Sequence, residues 1–199
     1  MAHVIDYELG TDLTFRNGLN GMRNGFRAER ITLDYLRDLR QSTCIMHDVR
    51  IYVPSGSSQL DFIIFHENGI FIIENKNVTG KIIGKYDNDM WRQKKTTRSG
   101  FKYAKQFYNP IKQVLTHKMR LEEFFQQYGY TLTVQPILYF SNENVKLDVE
   151  RRKICHVSSN PCELVHFIEN KDDPEQKITS DTLFALQELF FQTETPCFS

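Results

Sequence analysis

The chain has 199 residues, 40% of them hydrophobic and 25% charged, with a formal net charge of zero; that is enough for one domain with a real core and barely enough for two. No run approaches the roughly 18–20 apolar residues of a membrane span, so a membrane protein is not expected. The opening residues carry acids and no apolar stretch, so no signal peptide is expected, and the expected compartment is the cytoplasm.

In chain order, residues 1–20 are polar, with Gly18 and Asn20 near their end, and are expected to form an irregular lead-in. Over residues 23–40, Ala28, Ile31, Tyr35 and Leu39 recur at helical spacing with Leu36 on the shoulder. This predicts an amphipathic helix with Glu29 at the border between core and solvent. Three strand-like runs follow. Cys44–Val53 ends at Pro54 and a Ser/Gly-rich turn, while residues 60–65 and 70–74 flank Asn68-Gly69, the strongest short-range hairpin signal. A weaker strand is expected over residues 81–86. The basic stretch 92–105 reads as a loop, or as a strand with a mobile turn at Ser99-Gly100. A long helix starts at Asn109-Pro110, a cap followed by proline in the first turn, and stops near Gly129. Residues 131–140 form a further strand, which Pro136 assigns to an edge or a bulge. A short strand at 153–157, a helix near 162–169, an exposed linker at 170–180 and a last helix at about 181–192 complete the order. The expectation is a single α/β domain over residues 21–199 with a mixed sheet, its core at about 21–157 and a helical extension at about 158–199.

The zero net charge hides an asymmetry. Residues 76–120 hold twelve Lys and Arg against two Asp, a net of +10, whereas residues 161–199 hold eight acids against two lysines, a net of −6. One face built for a polyanion is the reading this favours. Arg92, Lys94, Lys95, Arg98, Lys102 and Lys105, interleaved with Trp91, Phe101 and Tyr103, suit a surface that neutralises phosphates and stacks on exposed bases. A solvated loop is the plainer reading of the same residues, and no base-reading helix motif accompanies them. Among the four cysteines, Cys44, Cys155, Cys162 and Cys197, there is no CxxC pair. Free buried thiols are expected, and Cys155, Cys162 and His166 lack a fourth ligand at zinc spacing.

If Asn68-Gly69 occupy a two-residue turn, Glu67 faces Ile70, Ile63 faces Glu74 and Asp61 faces Lys76. Alternation then puts Asp61, Glu74 and Lys76 on one sheet face, and a slip of one residue separates Asp61 from the other two. Charges at the end of such apolar strands are costly unless paired or bound to metal. Two neighbouring carboxylates repel, a divalent ion resolves that repulsion, and hard oxygen ligands favour Mg²⁺ or Mn²⁺. An Asp61–Lys76 ion pair is the alternative; it accounts for two of the three groups and leaves Glu74 unexplained.

Asp61, twelve residues, then Glu74-Asn75-Lys76 resembles the D…(D/E)xK signature of a large nuclease superfamily. The longer string from Glu74 to Gly80, following Asn68-Gly69-Ile70-Phe71, is similar to the nuclease-related domain (NERD) family. Gln59-Leu60-Asp61, Trp91, Asn109-Pro110 followed by Gln113, and Gly25-Phe26-Arg27-Ala28-Glu29 agree in order, so the resemblance covers roughly residues 20–140. Ala28 replaces the second glycine of the family's helix motif, and Phe62 stands where the family often has histidine.

The resemblance implies a PD-(D/E)xK nuclease-like core: a central mixed β-sheet with an N-terminal helix and a helix after the catalytic strands. It implies a Mg²⁺- or Mn²⁺-dependent nuclease that hydrolyses phosphodiester bonds of DNA, or of RNA, through a metal-activated water. Asp61 and Glu74 would hold the metal with the backbone carbonyl of Asn75 and, through the first helix, Glu29. Lys76 would orient the water or stabilise negative charge at phosphorus. Gln113, with His117 one turn later, would fix the phosphate or Lys76, although a packing role is the weightier reading of His117. The rival is a non-catalytic nucleic-acid-binding or interaction module on the same fold. The expected partner is nucleic acid, above all DNA, with no membrane; monomer and homodimer both stay open.

Overall fold

The computed structural model describes residues 3–5, 29–39, 43–96 and 99–194. In chain order the elements are β1 (His3–Ile5), α1 (helical over residues 29–36), β2 (Cys44–Val53), β3 (Gly56–His66), β4 (Gly69–Asn75), β5 (Gly80–Gly84), β6 (Met90–Thr96) and β7 (Lys102–Tyr108). There follow α2 (Pro110–Gln127), β8 (Val134–Tyr139), β9 (Val145–Val149), β10 (His156–Ser158), α3 (Pro161–Glu169), a 3-10 turn (Pro174–Gln176) and α4 (Ser180–Glu194). No helix among the described residues is long and apolar enough to cross a membrane.

The apolar runs form a central mixed sheet of six strands in the order β1-β2-β3-β4-β8-β10. Pairs β2–β3 and β3–β4 are antiparallel; β1–β2, β4–β8 and β8–β10 are parallel. Ile63, Phe65, Ile70 and Ile72 share a core with Ile111, Val114 and Phe125 of α2 and Leu183, Leu186 and Phe190 of α4. On the other face Phe62, Ile64, Phe71 and Ile73 pack with Leu33 and Leu36 of α1 and Leu164 and Ile168 of α3. Both faces are covered, so these strands read as continuous apolar runs rather than as alternations.

Of a second sheet, β7-β6-β5-β9, three strands lie in the connection before α2 and the fourth, β9, follows β8. Parallel strands β4 and β8 need a crossover; here it consists of β5, β6, β7 and then α2. Trp91 anchors the insert: its indole donates to the Lys85 carbonyl at 3.0 Å. A Cβ on Gly84 would collide with the Trp91 ring, so this position admits only glycine.

Several expectations are corrected. The hairpin turns at Glu67-Asn68, one residue before Asn68-Gly69: His66 pairs with Gly69 and Phe62 with Ile73. The Asn68 amide donates to the Ile168 carbonyl at 3.2 Å and the Glu169 carbonyl at 2.7 Å, so it satisfies the end of α3, and Gly69 takes the positive φ of 135°. Asp61 therefore falls opposite Glu74, and Lys76 lies just past the strand. On α1 the buried face is Thr32, Leu33 and Leu36, while Ile31 and Tyr35 are exposed. Glu29 falls on the same side of the helix, at i+3, i+4 and i+7 spacing from Thr32, Leu33 and Leu36, and is half-buried, at the border between core and solvent as expected. Pro136 is in an interior strand; β10 pairs only with residues from Ile137 onward, so at Pro136 one flank carries no ladder. The basic stretch forms the antiparallel strands β6 and β7, the strand alternative and not the loop, with residues 97–98 between them outside the described residues. Strands β1, within the expected irregular lead-in, and β9 were not anticipated. Cys44 and Cys155 are buried free thiols, as expected, but Cys162 is exposed, and Cys197 lies outside the described residues. Residues 23–28, with the departure at Ala28, also lie outside them.

Candidate active site

The site forms where β4 runs out. Glu74 is its penultimate residue and is only 3% exposed. Beyond Asn75 the chain stays clamped to β8: the Lys76 N–H donates to the Tyr139 carbonyl at 2.8 Å and its carbonyl accepts from Ser141 at 3.2 Å. The Lys76 backbone is thus held although its strand has ended. Its Nζ donates to Glu74 Oε1 at 2.5 Å and to Gln113 Oε1 at 3.1 Å. Gln113 comes from α2, whose start is fixed by the Asn109 side chain accepting from the Ile111 N–H at 2.9 Å. One turn on, His117 Nδ1 lies 3.3 Å from Glu74 Oε2. That contact is an ion-pair distance and not a well-aligned hydrogen bond: Glu74 Oε2 is buried and accepts no hydrogen bond of good geometry from a described residue.

Asp61 reaches the same strand end from β3, its Oδ2 accepting from the Asn75 N–H at 2.7 Å. The hairpin bends here. Asp48, directly opposite Asp61 between the pairs His47–Phe62 and Val49–Leu60, has φ of 54°. Across that bend the alternation of faces slips, so that Met46 and Val49, and likewise Ile63 and Leu60, all belong to the α2 side of the core. Asn75 points the other way from Glu74, and Thr32 of α1 donates to its Oδ1 at 3.4 Å. The two helix layers therefore meet at this strand end, with Glu29 arriving from α1.

The electrostatics follow from burial. Desolvation first, and then the charge of Glu74, push the Asp61 carboxyl up to about 7, with a smaller contribution from Glu29 against the Asn75 N–H and Lys76. Burial also pushes Glu74 upward, but His117 and Lys76 outweigh it and hold its carboxyl below the ordinary glutamate value. Glu29 is raised, by burial and then by Asp48, with His47 opposing. Asp61 and Glu74 thus share a strand end with Lys76, and Glu29 adds negative charge to both from a longer range. Among the described residues no three His, Cys, Asp or Glu side chains stand close enough to ligate one metal ion as arranged. Mg²⁺ does not require such a cage, since it binds through one or two carboxylates and keeps several waters. Asp61 and Glu74, with a buried and poorly satisfied oxygen on Glu74, fit that chemistry.

Asp61, Glu74, Asn75, Lys76 and Gln113 are brought together, with Glu29 within electrostatic reach. His117, whose packing role had been the weightier reading, touches Glu74. Asp48 and His47 were missed; the signal for them was a pair of polar residues interrupting the apolar run of β2. Phe62 is fully buried against α1 and α3, so it offers nothing to a substrate directly. The basic residues are divided: Arg92, Lys94 and Lys102 share one face of the small sheet, and the pairs Gln93–Lys105 and Lys95–Tyr103 belong to the other. Arg98 lies outside the described residues.

The nuclease-related domain profile matches residues 24–141, well over half of the chain. The chain belongs to the nuclease-related domain family. That match spans β2 to β8 and takes in every residue of the strand-end cluster from Glu29 to His117. The chain is also 31% identical over 88 residues to an uncharacterized protein of Bacillus anthracis, a stretch that is 44% of this chain and 39% of that protein. No solved structure matches it significantly.

Proposed function

We propose that this nuclease-related domain is a metal-dependent nuclease of the PD-(D/E)xK type, which hydrolyses phosphodiester bonds of DNA with Mg²⁺ or Mn²⁺. The observation that carries the reading is the convergence of a buried carboxylate, Glu74, and a half-buried one, Asp61, beside a lysine at one strand end. Buried like charges are retained at a cost to stability that a structural role alone does not require.

Asp61 and Glu74, with the Asn75 carbonyl, would hold the ion, and Glu29 would add negative charge from α1. When bound, the ion supplies Lewis acidity to a phosphate oxygen and acidifies water. Lys76 presents a cation to the charge that develops at phosphorus, and Gln113 keeps its amine in place. His117 steadies the Glu74 carboxylate from α2. Arg92, Lys94 and Lys102 supply positive charge for the phosphate backbone.

Titration calorimetry with Mn²⁺ tests the metal: binding by the wild type and none by Asp61→Ala is expected, and equal binding by both sinks the site. A second reading, a non-catalytic nucleic-acid-binding module, is favoured by one observation: Lys76 and His117 both lie at ion-pair distance from Glu74, as in a structural charge cluster. Incubation with plasmid and single-stranded DNA, with and without Mg²⁺ or Mn²⁺, separates the two. Metal-dependent cleavage excludes the module.

A further inference from the structure

The small sheet carries a pattern that the linear sequence conceals. Register places Lys146 of β9 directly beside Lys81 of β5, and Lys81 directly beside Lys94 of β6. Directly opposed residues on neighbouring strands point to the same face, about 5 Å apart, and like charges so placed are destabilising. The face is the exposed one, since the alternate residues Ile82 and Trp91 are buried. Only Lys81 has an acidic partner among the described residues, Asp148 at 2.7 Å. Lys102 extends the same face on β7, two residues from Ala104, the partner of Lys94. These four lysines line one groove of about 600 Å³, and Tyr103, 42% exposed, borders it at the edge strand β7 although register assigns its side chain to the opposite face of the sheet.

We infer that this groove is a track for single-stranded nucleic acid, with Lys81, Lys94, Lys102 and Lys146 on the phosphates and Tyr103 stacked on a base. A basic groove with an exposed aromatic ring is how single strands are held without base-specific readout. In a duplex the base faces are stacked away, and a tyrosine here would have nothing to stack on. Gly80, on the groove wall, follows Lys76 by four residues, which limits their Cα separation to about 14 Å. The track therefore opens close to the carboxylate cluster. That it delivers a scissile bond there rests on the nuclease reading; the binding itself does not.

Fluorescence anisotropy across a salt series, in EDTA so that no cleavage occurs, compares a labelled single-stranded oligonucleotide with its duplex. The single strand is expected to bind more tightly. Lys94→Gln/Lys146→Gln should lower the slope of log affinity against log salt by about 1.4, and Lys102→Gln alone by about 0.7. Tyr103→Ala should weaken single-strand binding at least about fivefold and leave duplex binding unchanged. Tighter binding of the duplex, or unchanged slopes in both lysine variants, overturns the track. Cleavage activity is scored separately: a protein that binds single strands through these lysines but never cuts retains the track and loses the nuclease.

Discussion

The two sheets are built by opposite rules. In the six-stranded sheet every side chain from Phe62 to Phe65 and from Ile70 to Ile73 is buried against one helix layer or the other. In the four-stranded sheet β7 is exposed along nearly its whole length, and burial is confined to the side of Ile82, Trp91 and Gln93. A charge in the first sheet must find a partner, as Glu74 does, or have its carboxyl pushed up by burial, as Asp61 does; a charge in the second is met by water. Rigid, dry strand ends suit chemistry that depends on fixed geometry, and a solvated ladder suits contacts to a flexible polyanion. On the reading proposed here the chain divides its work along that line.

The sharpest way to break the comparison is to remove equal bulk from each sheet. Phe65 is fully buried between rings of Phe125 and Phe190. Phe65→Ala should cost about 3–5 kcal/mol in denaturant unfolding. Tyr108→Ala, at a residue 52% exposed on β7, should stay within about 0.5 kcal/mol. Comparable losses would mean that the small sheet is as integral to the core as the large one.

The next effect tests whether chemistry belongs to the strand end and binding to the ladder. Lys76→Ala should lower cleavage by more than about a hundredfold and leave DNA affinity nearly intact. Parallel loss of rate and affinity would make Lys76 a binding residue. A variant that fails to fold would point to the ion pair with Glu74 as its main role.

What the sequence disclosed divides in the same way. Strands β2 and β4 were legible because their apolar runs are long, β-branched and bounded by turn residues. Glu74, Lys76 and Gln113 were legible because a motif and a helix cap fix their places. The hairpin register was not: the turn is set by Asn68 binding the end of α3, 100 residues away, which no local signal reveals. The two-residue change in pairing left Glu74 and Lys76 on their expected face, so the error did little harm to the site. The inward face of α1 was misjudged because Ile31 and Tyr35 outweighed Thr32 and Leu33 in a purely apolar reading. The small sheet was hardest to see, since Lys102-Tyr103-Ala104-Lys105 has no buried face to create a period. The lysine row across β9, β5 and β6 exists only in the register, between residues far apart in the chain.

A smaller effect comes from pH. His66, at the end of β3, is 1% exposed; burial pushes its pKa below the ordinary histidine value, with Glu67 and Glu169 opposing. Its Nδ1 accepts from the Asn68 N–H at 3.1 Å, a bond that the neutral ring serves. In the unfolded chain the ring takes up a proton near pH 6.5, before it does in the folded protein. Stability present above that pH is therefore lost as pH falls from about 6.5 toward the folded value. Melting temperature should decline over this window, and less so in His66→Gln. An identical decline in the variant would assign the acid sensitivity to other groups. No histidine lies in the small sheet, so its variants should leave this slope alone.

The smallest effect bears on the solvated ladder itself. If Lys146, Lys81 and Lys94 stand side by side, the repulsion among them is a standing cost that, among the described residues, Asp148 alone offsets. Lys94→Gln removes one member and should raise the melting temperature by about one or two degrees at low salt. Exposed charges are screened within about 3 Å at 1 M salt, so the gain should vanish there. Lys105→Gln is the control, because Lys105 pairs with Gln93 on the other face and has no lysine directly opposite. A stabilisation that persists in high salt would come from strand propensity and not from charge. If neutralising Lys94 lowers the melting temperature instead, the row is not a repulsive one, and the strands of the small sheet pair in some other register.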